Sequence, residues 1–300
     1  MTVAAEVRPR GPYSLRLTAA GTDATRRYRD GVLTAAVRTS AGPEIAEARQ
    51  LPDGTVLLRA ATEEGIAALR FALALDDDHS EFLRRFDADP LLGEAVRELE
   101  GLRVARVGTV AQALLRALCG QLITSREARA LEWAIVRATS PALTADGLHA
   151  PPTEAGLVCL SPAQLRARGL HARRGAALVR ICGSVDLERL HGVPTATVVA
   201  RLTRERGLGA WSAGVICLEG LGRSEQGLVG DLGLMKLLAA LRGRWVEADE
   251  TCELLAPYGE WAGLASVYLL KGFARGLIPL PGQARTRHGT SRAGRRLAAA

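Results

Sequence analysis

The charged break Asp76-Asp77-Asp78-His79-Ser80 constrains the fold most, because the hydrophobic rhythm changes across it. Before it, short alternating segments read as strands. Tyr13-Ser14-Leu15-Arg16-Leu17 alternates, Val32 to Val37 follows Gly31, and Thr55 to Arg59 follows the Pro52-Asp53-Gly54 turn. A helix is expected next, with Thr62 as N-cap, Glu63 and Glu64 in the first turn, and Ile66, Leu69 and Leu73 on one apolar face. After the break the strand signals nearly vanish. Residues 111–139 form a long apolar-periodic stretch, too long for one strand, that includes Leu114, Leu115, Leu118, Leu122 and Ile123. Ser161-Pro162 opens a helix, and Arg173 to Val185 supplies another. Asp231 to Leu241 places Leu234, Leu237, Leu238 and Leu241 on one face, and a last helical segment runs from Asp249 to Gly276, broken near Pro257-Tyr258-Gly259. The expected fold class is therefore α+β: a small strand-rich unit over 1–80, an all-helical domain over 81–281, and a disordered basic tail over 282–300.

Charge adds less than its sum suggests. The net charge is +7, but from Trp261 onward Lys271, Arg275, Arg285, Arg287, Arg292, Arg295 and Arg296 occur without an acid, so the preceding residues balance to zero. A nucleic-acid surface must then be a local patch. The five cysteines, Cys119, Cys159, Cys182, Cys217 and Cys252, lie far apart with no C-x-x-C pair, and the five histidines are scattered. That pattern argues against a disulfide frame, a zinc site or an iron–sulfur cluster, and no metal site is expected. The N-terminus has no apolar signal core and no apolar run reaches the ~18–20 residues of a membrane span, so a cytoplasmic protein is expected.

Within the helical part, two apolar-periodic segments, Pro194 to Arg204 and Trp211 to Leu221, are joined by Arg206-Gly207-Leu208-Gly209-Ala210. A tight helix-hairpin-helix would look like this, since glycine reaches the positive φ such a turn needs. The turn opens a helix whose first amides lack partners and sit at the positive end of the macrodipole, a natural seat for one phosphate. Taken alone, these glycines fit a purely structural turn between two helices better than a binding site. One apolar segment later comes Val229-Gly230-Asp231-Leu232. Asp231 precedes a helix, where aspartate commonly caps, and a capping carboxylate is not barred from chemistry. A fixed negative charge there would stabilise the oxocarbenium-like sugar formed when an N-glycosidic bond breaks.

Gly207-Leu208-Gly209-Ala210-Trp211-Ser212-Ala213, the Gly230-Asp231 step and Cys119-Gly120-Gln121-Leu122 resemble the signature of the helix-hairpin-helix DNA glycosylases, specifically the bacterial 3-methyladenine DNA glycosylase II family. Asp89-Pro90-Leu91-Leu92-Gly93, Gly101-Leu102-Arg103 and the strand-rich unit resemble that family's linker and its TATA-binding-protein-like first domain. The resemblance implies that Asp231 is the catalytic aspartate. It implies that Gly207, Leu208, Gly209, Ala210 and the hydroxyl of Ser212 hold DNA phosphate, that Trp211 and Tyr268 line the base pocket, and that Gln121 and Leu122 form the wedge filling the space of the flipped nucleotide. On their own residues, Leu122 and Trp211 would also suit a helical core. No cofactor is required in that family, though carbonyls of the hairpin can hold a monovalent cation.

The implied activity is monofunctional hydrolysis of alkylated purines such as 3-methyladenine in double-stranded damaged DNA, by a monomeric, nucleoid-associated bacterial protein. Relatives that also cut the strand carry a lysine two residues after the second glycine; here that residue is Trp211. The chain departs from the pattern at Val215 and Leu270, where the family has pocket aromatics, and at Arg206, where it has proline. A glycosylase for oxidised or deaminated purines, or a catalytically silent damage-binding protein of the same fold, are the alternatives.

Overall fold

The computed structural model describes residues 2–281. The basic tail expected over 282–300 lies outside the described residues. The chain opens with five strands, β1 (Val3–Val7), β2 (Arg26–Arg29), β3 (Val32–Thr39), β4 (Gly42–Gln50) and β5 (Val56–Ala60), and two helices, α1 (Leu15–Thr18) and α2 (Glu63–Ala72). The strands form one antiparallel sheet in the order β1-β5-β4-β3-β2, with Val32 opposite Arg49 and Gln50 opposite Val56. Leu33, Ala35 and Val37 alternate onto the same apolar cluster as Ala46, Ala48, Val56 and Leu58, as a half-buried sheet demands. Ile66 and Leu69 of α2, with its C-cap residue Leu73, close that cluster. The Thr62 hydroxyl caps α2 by accepting the Gly65 amide at 2.9 Å.

One sequence expectation changes here. Tyr13 to Leu17 is not a strand. Ser14 accepts the Leu17 amide at 3.3 Å and starts the single turn of α1, burying Leu15 and Thr18. A local cap outweighs the alternation. The first strand is instead β1, earlier in the chain, held at the sheet edge by pairing Val3 with Ala60.

The remaining helices are α3 (Ser80–Phe86), α4 (Gly93–Glu98), α5 (Val110–Gly120), α6 (Ser125–Thr139), α7 (Glu154–Val158), α8 (Pro162–Ala167), α9 (Ala172–Ser184), α10 (Thr195–Arg204), α11 (Ala210–Val215), α12 (Leu232–Arg242), α13 (Glu250–Leu255) and α14 (Ala262–Ala274). A π turn, Ile216–Gly220, continues α11. These elements share a second apolar core running from Phe82 to Ile278, which also takes in Ala24 from before β2. The long stretch over 111–139 is two helices. It breaks after Gly120, and Thr124 with Glu127 forms a reciprocal capping box that starts α6. The break near Pro257 falls at Gly259, whose φ of 51° lies in the left-handed region.

Two arginines cross-tie the cores. Arg103, 1% exposed, donates to the carbonyls of Ala74 and Arg10. Arg116 of α5 donates to Asp23 at 2.9 Å, to Glu132 of α6 at 3.0 Å and to Glu219 of the π turn at 2.7 Å. No helix among the described residues is long and apolar enough to cross a membrane.

Candidate active site

The hairpin turn runs from the end of α10 to the start of α11. Gly207 takes φ 99°, which an L side chain rarely adopts, and an added Cβ there would also come within 3.3 Å of Ala177 Cβ. Leu208 is buried, and its amide donates to the Glu205 carbonyl at 3.0 Å. Gly209 is the N-cap of α11 and supplies no side chain to the first amides. Gly209 and Ala210 are exposed, so the amide-rich end of α11 faces solvent. Ser212 is not. It is 2% exposed, and its hydroxyl accepts the Gln121 side-chain amide at 3.0 Å. The phosphate-holding hydroxyl inferred from the family pattern is thus turned into the protein.

Asp231 is the N-cap of α12. Its Oδ1 accepts the Gly233 amide at 2.7 Å and the Leu234 amide at 3.3 Å, while Oδ2 accepts the Trp211 indole Nε1–H at 2.9 Å. Capping and the second use coexist because the two oxygens divide the work. Gly230, at φ 82°, donates its amide to the Thr251 hydroxyl at 2.8 Å, which fixes the approach to the cap. The helix N-terminus favours the carboxylate's negative charge.

Trp211 is itself held from below. A Cβ on Gly120 would lie 2.7 Å from Trp211 Cη2, so the end of α5 packs directly on the indole. Gly120→Ala is expected to displace a ring that cannot yield without disturbing Asp231. A destabilisation of about 1–3 kcal/mol by urea titration is the expected cost of this overpacking. Gly233 is covered in turn by Leu270 of α14, whose Cδ2 would stand 2.4 Å from a Cβ there.

The structure therefore brings together Gly207, Gly209, Trp211 and Asp231 with Gln121 at the end of α5. Leu122 beside them is 81% exposed, at φ 56°. Tyr268 does not join them. It is fully buried against Phe82, and its hydroxyl donates to the carbonyls of Leu102 at 3.2 Å and Leu99 at 3.3 Å. The reason is that α14 is apolar nearly all round, so its periodicity does not say which face meets the core. Gly120 was legible only as part of the Cys119 to Leu122 motif; its contact with Trp211 is not visible in sequence.

Other features lie elsewhere. A cavity of about 300 Å³ opens between β3, α2 and residues 106–109, with none of the hairpin residues in its wall. Among the described residues no His, Cys, Asp and Glu side chains gather into a metal-holding group. Burial pushes the Cys119 thiol well above its ordinary range and the Cys182 thiol up to about 12, leaving both as core residues, not nucleophiles.

No family model matches the chain. A DNA-3-methyladenine glycosylase of Bacillus subtilis (strain 168) is 28% identical over 205 residues, covering 65% of this chain and 67% of that protein. A 3-methyladenine DNA-glycosylase structure from Archaeoglobus fulgidus superposes with a TM-score of 0.77 at 20% identity, over 89% of this chain and 97% of that one. A Clostridium acetobutylicum 8-oxoguanine glycosylase/lyase, solved with double-stranded DNA containing cytosine opposite 8-oxoG, gives 0.73 at 18% identity over 92% and 99%. The relative and both structural neighbours are DNA glycosylases by name, and the chain has the fold of the two solved structures.

Proposed function

We propose that this chain is a monofunctional DNA glycosylase that hydrolyses the N-glycosidic bond of flipped alkylated purines such as 3-methyladenine. The observation that carries the reading is the Asp231 carboxylate, held by the α12 amides on one oxygen and by Trp211 of the hairpin on the other. The open amides of Gly209 and Ala210 would seat one phosphate of the damaged strand, and Leu122 would enter the stack as the nucleotide leaves it. With the base extruded, Asp231 stabilises the positive charge that develops on the sugar as the C–N bond breaks. The base departs with the electrons of the C–N bond, and water adds to the sugar carbon and loses its proton to bulk solvent, leaving an abasic site. No amine stands at position 211 to form a Schiff base, so the strand stays intact.

Incubation with alkylated duplex DNA should release 3-methyladenine or 7-methylguanine without strand cleavage until alkali is added. Intact bases after prolonged incubation would refute the substrate assignment. Trp211→Phe keeps an aromatic ring at this position but removes the donor to Asp231. Loss of one hydrogen bond to a charged group is expected to slow single-turnover excision about tenfold with unchanged affinity for undamaged duplex.

A second reading, excision of oxidised or deaminated purines, is favoured by one observation. With Tyr268 in the core and Val215 buried, Trp211 is the aromatic that reaches Asp231, which is thin provision for binding a cationic alkylated base. A panel of duplexes with single defined lesions separates the two.

A further inference from the structure

Gln121 ends α5 in an extended conformation (φ −63°, ψ 124°), and Leu122 follows at φ 56°. The left-handed region is unfavourable for a leucine, whose Cβ crowds the following carbonyl. An exposed leucine held there must be fixed by its surroundings. The Gln121 side chain does not project with it. Its Nε2 turns inward and donates to the Gly207 carbonyl at 2.8 Å and to the Ser212 hydroxyl at 3.0 Å. The two acceptors flank Gly209, one in the turn and one in the first turn of α11, so a single carboxamide spends both its protons on the hairpin. One residue earlier, Gly120 packs on Trp211.

We propose that Gln121 is a positioning residue: it is a strut that fixes Leu122 at a set offset from the hairpin turn and does not itself enter the duplex. The phosphate seat and the wedge then move as one piece. Registering a phosphate at Gly209 also sets how far Leu122 reaches into the base stack. The DNA half of this proposal rests on the glycosylase reading; the mechanical half does not.

Three variants test it: Gln121→Met, of similar length without a donor; Gln121→Glu, which turns a carboxylate toward a carbonyl; and Ser212→Ala, which deletes one acceptor. In hydrogen exchange on the free protein, Gln121→Met should raise exchange at residues 122–124 and 207–212 together, with the rest of the chain unchanged. Unaltered exchange at both segments overturns the strut. On a lesion duplex carrying 2-aminopurine beside the damaged base, Gln121→Met should lower the flipping signal and slow single-turnover excision about tenfold, while affinity for undamaged duplex holds. Gln121→Glu should be at least as impaired, and the Gln121→Met/Ser212→Ala double variant should lose less than the combined single losses. If Gln121 instead filled the gap in the DNA, Gln121→Met would weaken binding to an abasic-site duplex, leave exchange unchanged and act independently of Ser212→Ala, and the strut would be wrong. A wild-type protein that excises no lesion refutes the glycosylase reading, and the exchange result still decides the strut.

Discussion

Replacing Asp231 by asparagine is expected to lower single-turnover excision by at least about 10²–10³-fold, the range seen when a group aimed at developing charge is lost. The reasoning rests on how the two carboxylate oxygens are used. Asparagine can keep its carbonyl on the Gly233 and Leu234 amides, which preserves the α12 cap. It then presents an NH2 group to the Trp211 Nε1–H, so two donors face each other where a donor met an anion. On the glycosylase reading, the charge that would face the sugar is gone in the same step. Stability should therefore change little, whereas Asp231→Ala should cost about 1 kcal/mol through the lost cap. Affinity for an abasic-site duplex should survive in Asp231→Asn, because the hairpin amides are untouched. Equal excision rates for wild type and Asp231→Asn would remove Asp231 from the chemistry.

The second large effect is on stability. Arg116→Met is expected to destabilise the fold by about 3–5 kcal/mol, because it strands carboxylates that the guanidinium now joins. Glu132 is buried, and Asp23 lies at the edge of burial. Burial opposes the Asp23 charge, but Arg26 and Arg116, with hydrogen bonds from Thr25, outweigh it and bring its pKa down to about 2. A carboxyl lowered on folding adds stability above its ordinary pKa near 3.8, and that contribution is lost as pH falls through about 2. In wild type this is worth about 2 kcal/mol at neutral pH. Without Arg116, one of the two cations holding Asp23 ionised is gone, so Asp23 takes up its proton at higher pH, which relieves its burial. The stability gap between wild type and Arg116→Met should accordingly narrow as pH falls from about 7 toward about 3. Urea titrations across that range measure it. A pH-independent gap would assign the loss to packing instead.

What was legible in the sequence was local. Thr62, Ser161 and Asp231 each declare a helix start because a cap satisfies amides two or three residues away. The apolar face of Leu234, Leu237 and Leu238 and the kink at Gly259 are equally short-range. Strand β4 was not legible. Gly42 to Gln50 is built largely of glycine, proline, alanine, glutamate and arginine, poor strand formers that become a strand because β3 and β5 pair on either side. At the site, Asp231 and the glycines could be found by pattern. The strut from Gln121 to Gly207 could not, since it joins residues 86 apart in sequence. Tyr268 misleads for the same reason: its hydroxyl is claimed by carbonyls of a loop 166 and 169 residues earlier.

Arg103 and Arg116 tie the N-terminal residues to the helical part at two separate places, Arg103 through the carbonyls of Ala74 and Arg10 and Arg116 through Asp23. Both ties would have to break for the two parts to open like a jaw around a target. On the glycosylase reading, the mechanical work then falls to the DNA, which must bend and unstack against a rigid surface at a cost set by its own sequence and damage. Damaged sites yield at lower force than intact ones. Discrimination would begin in the compliance of the duplex, before any base reaches Asp231.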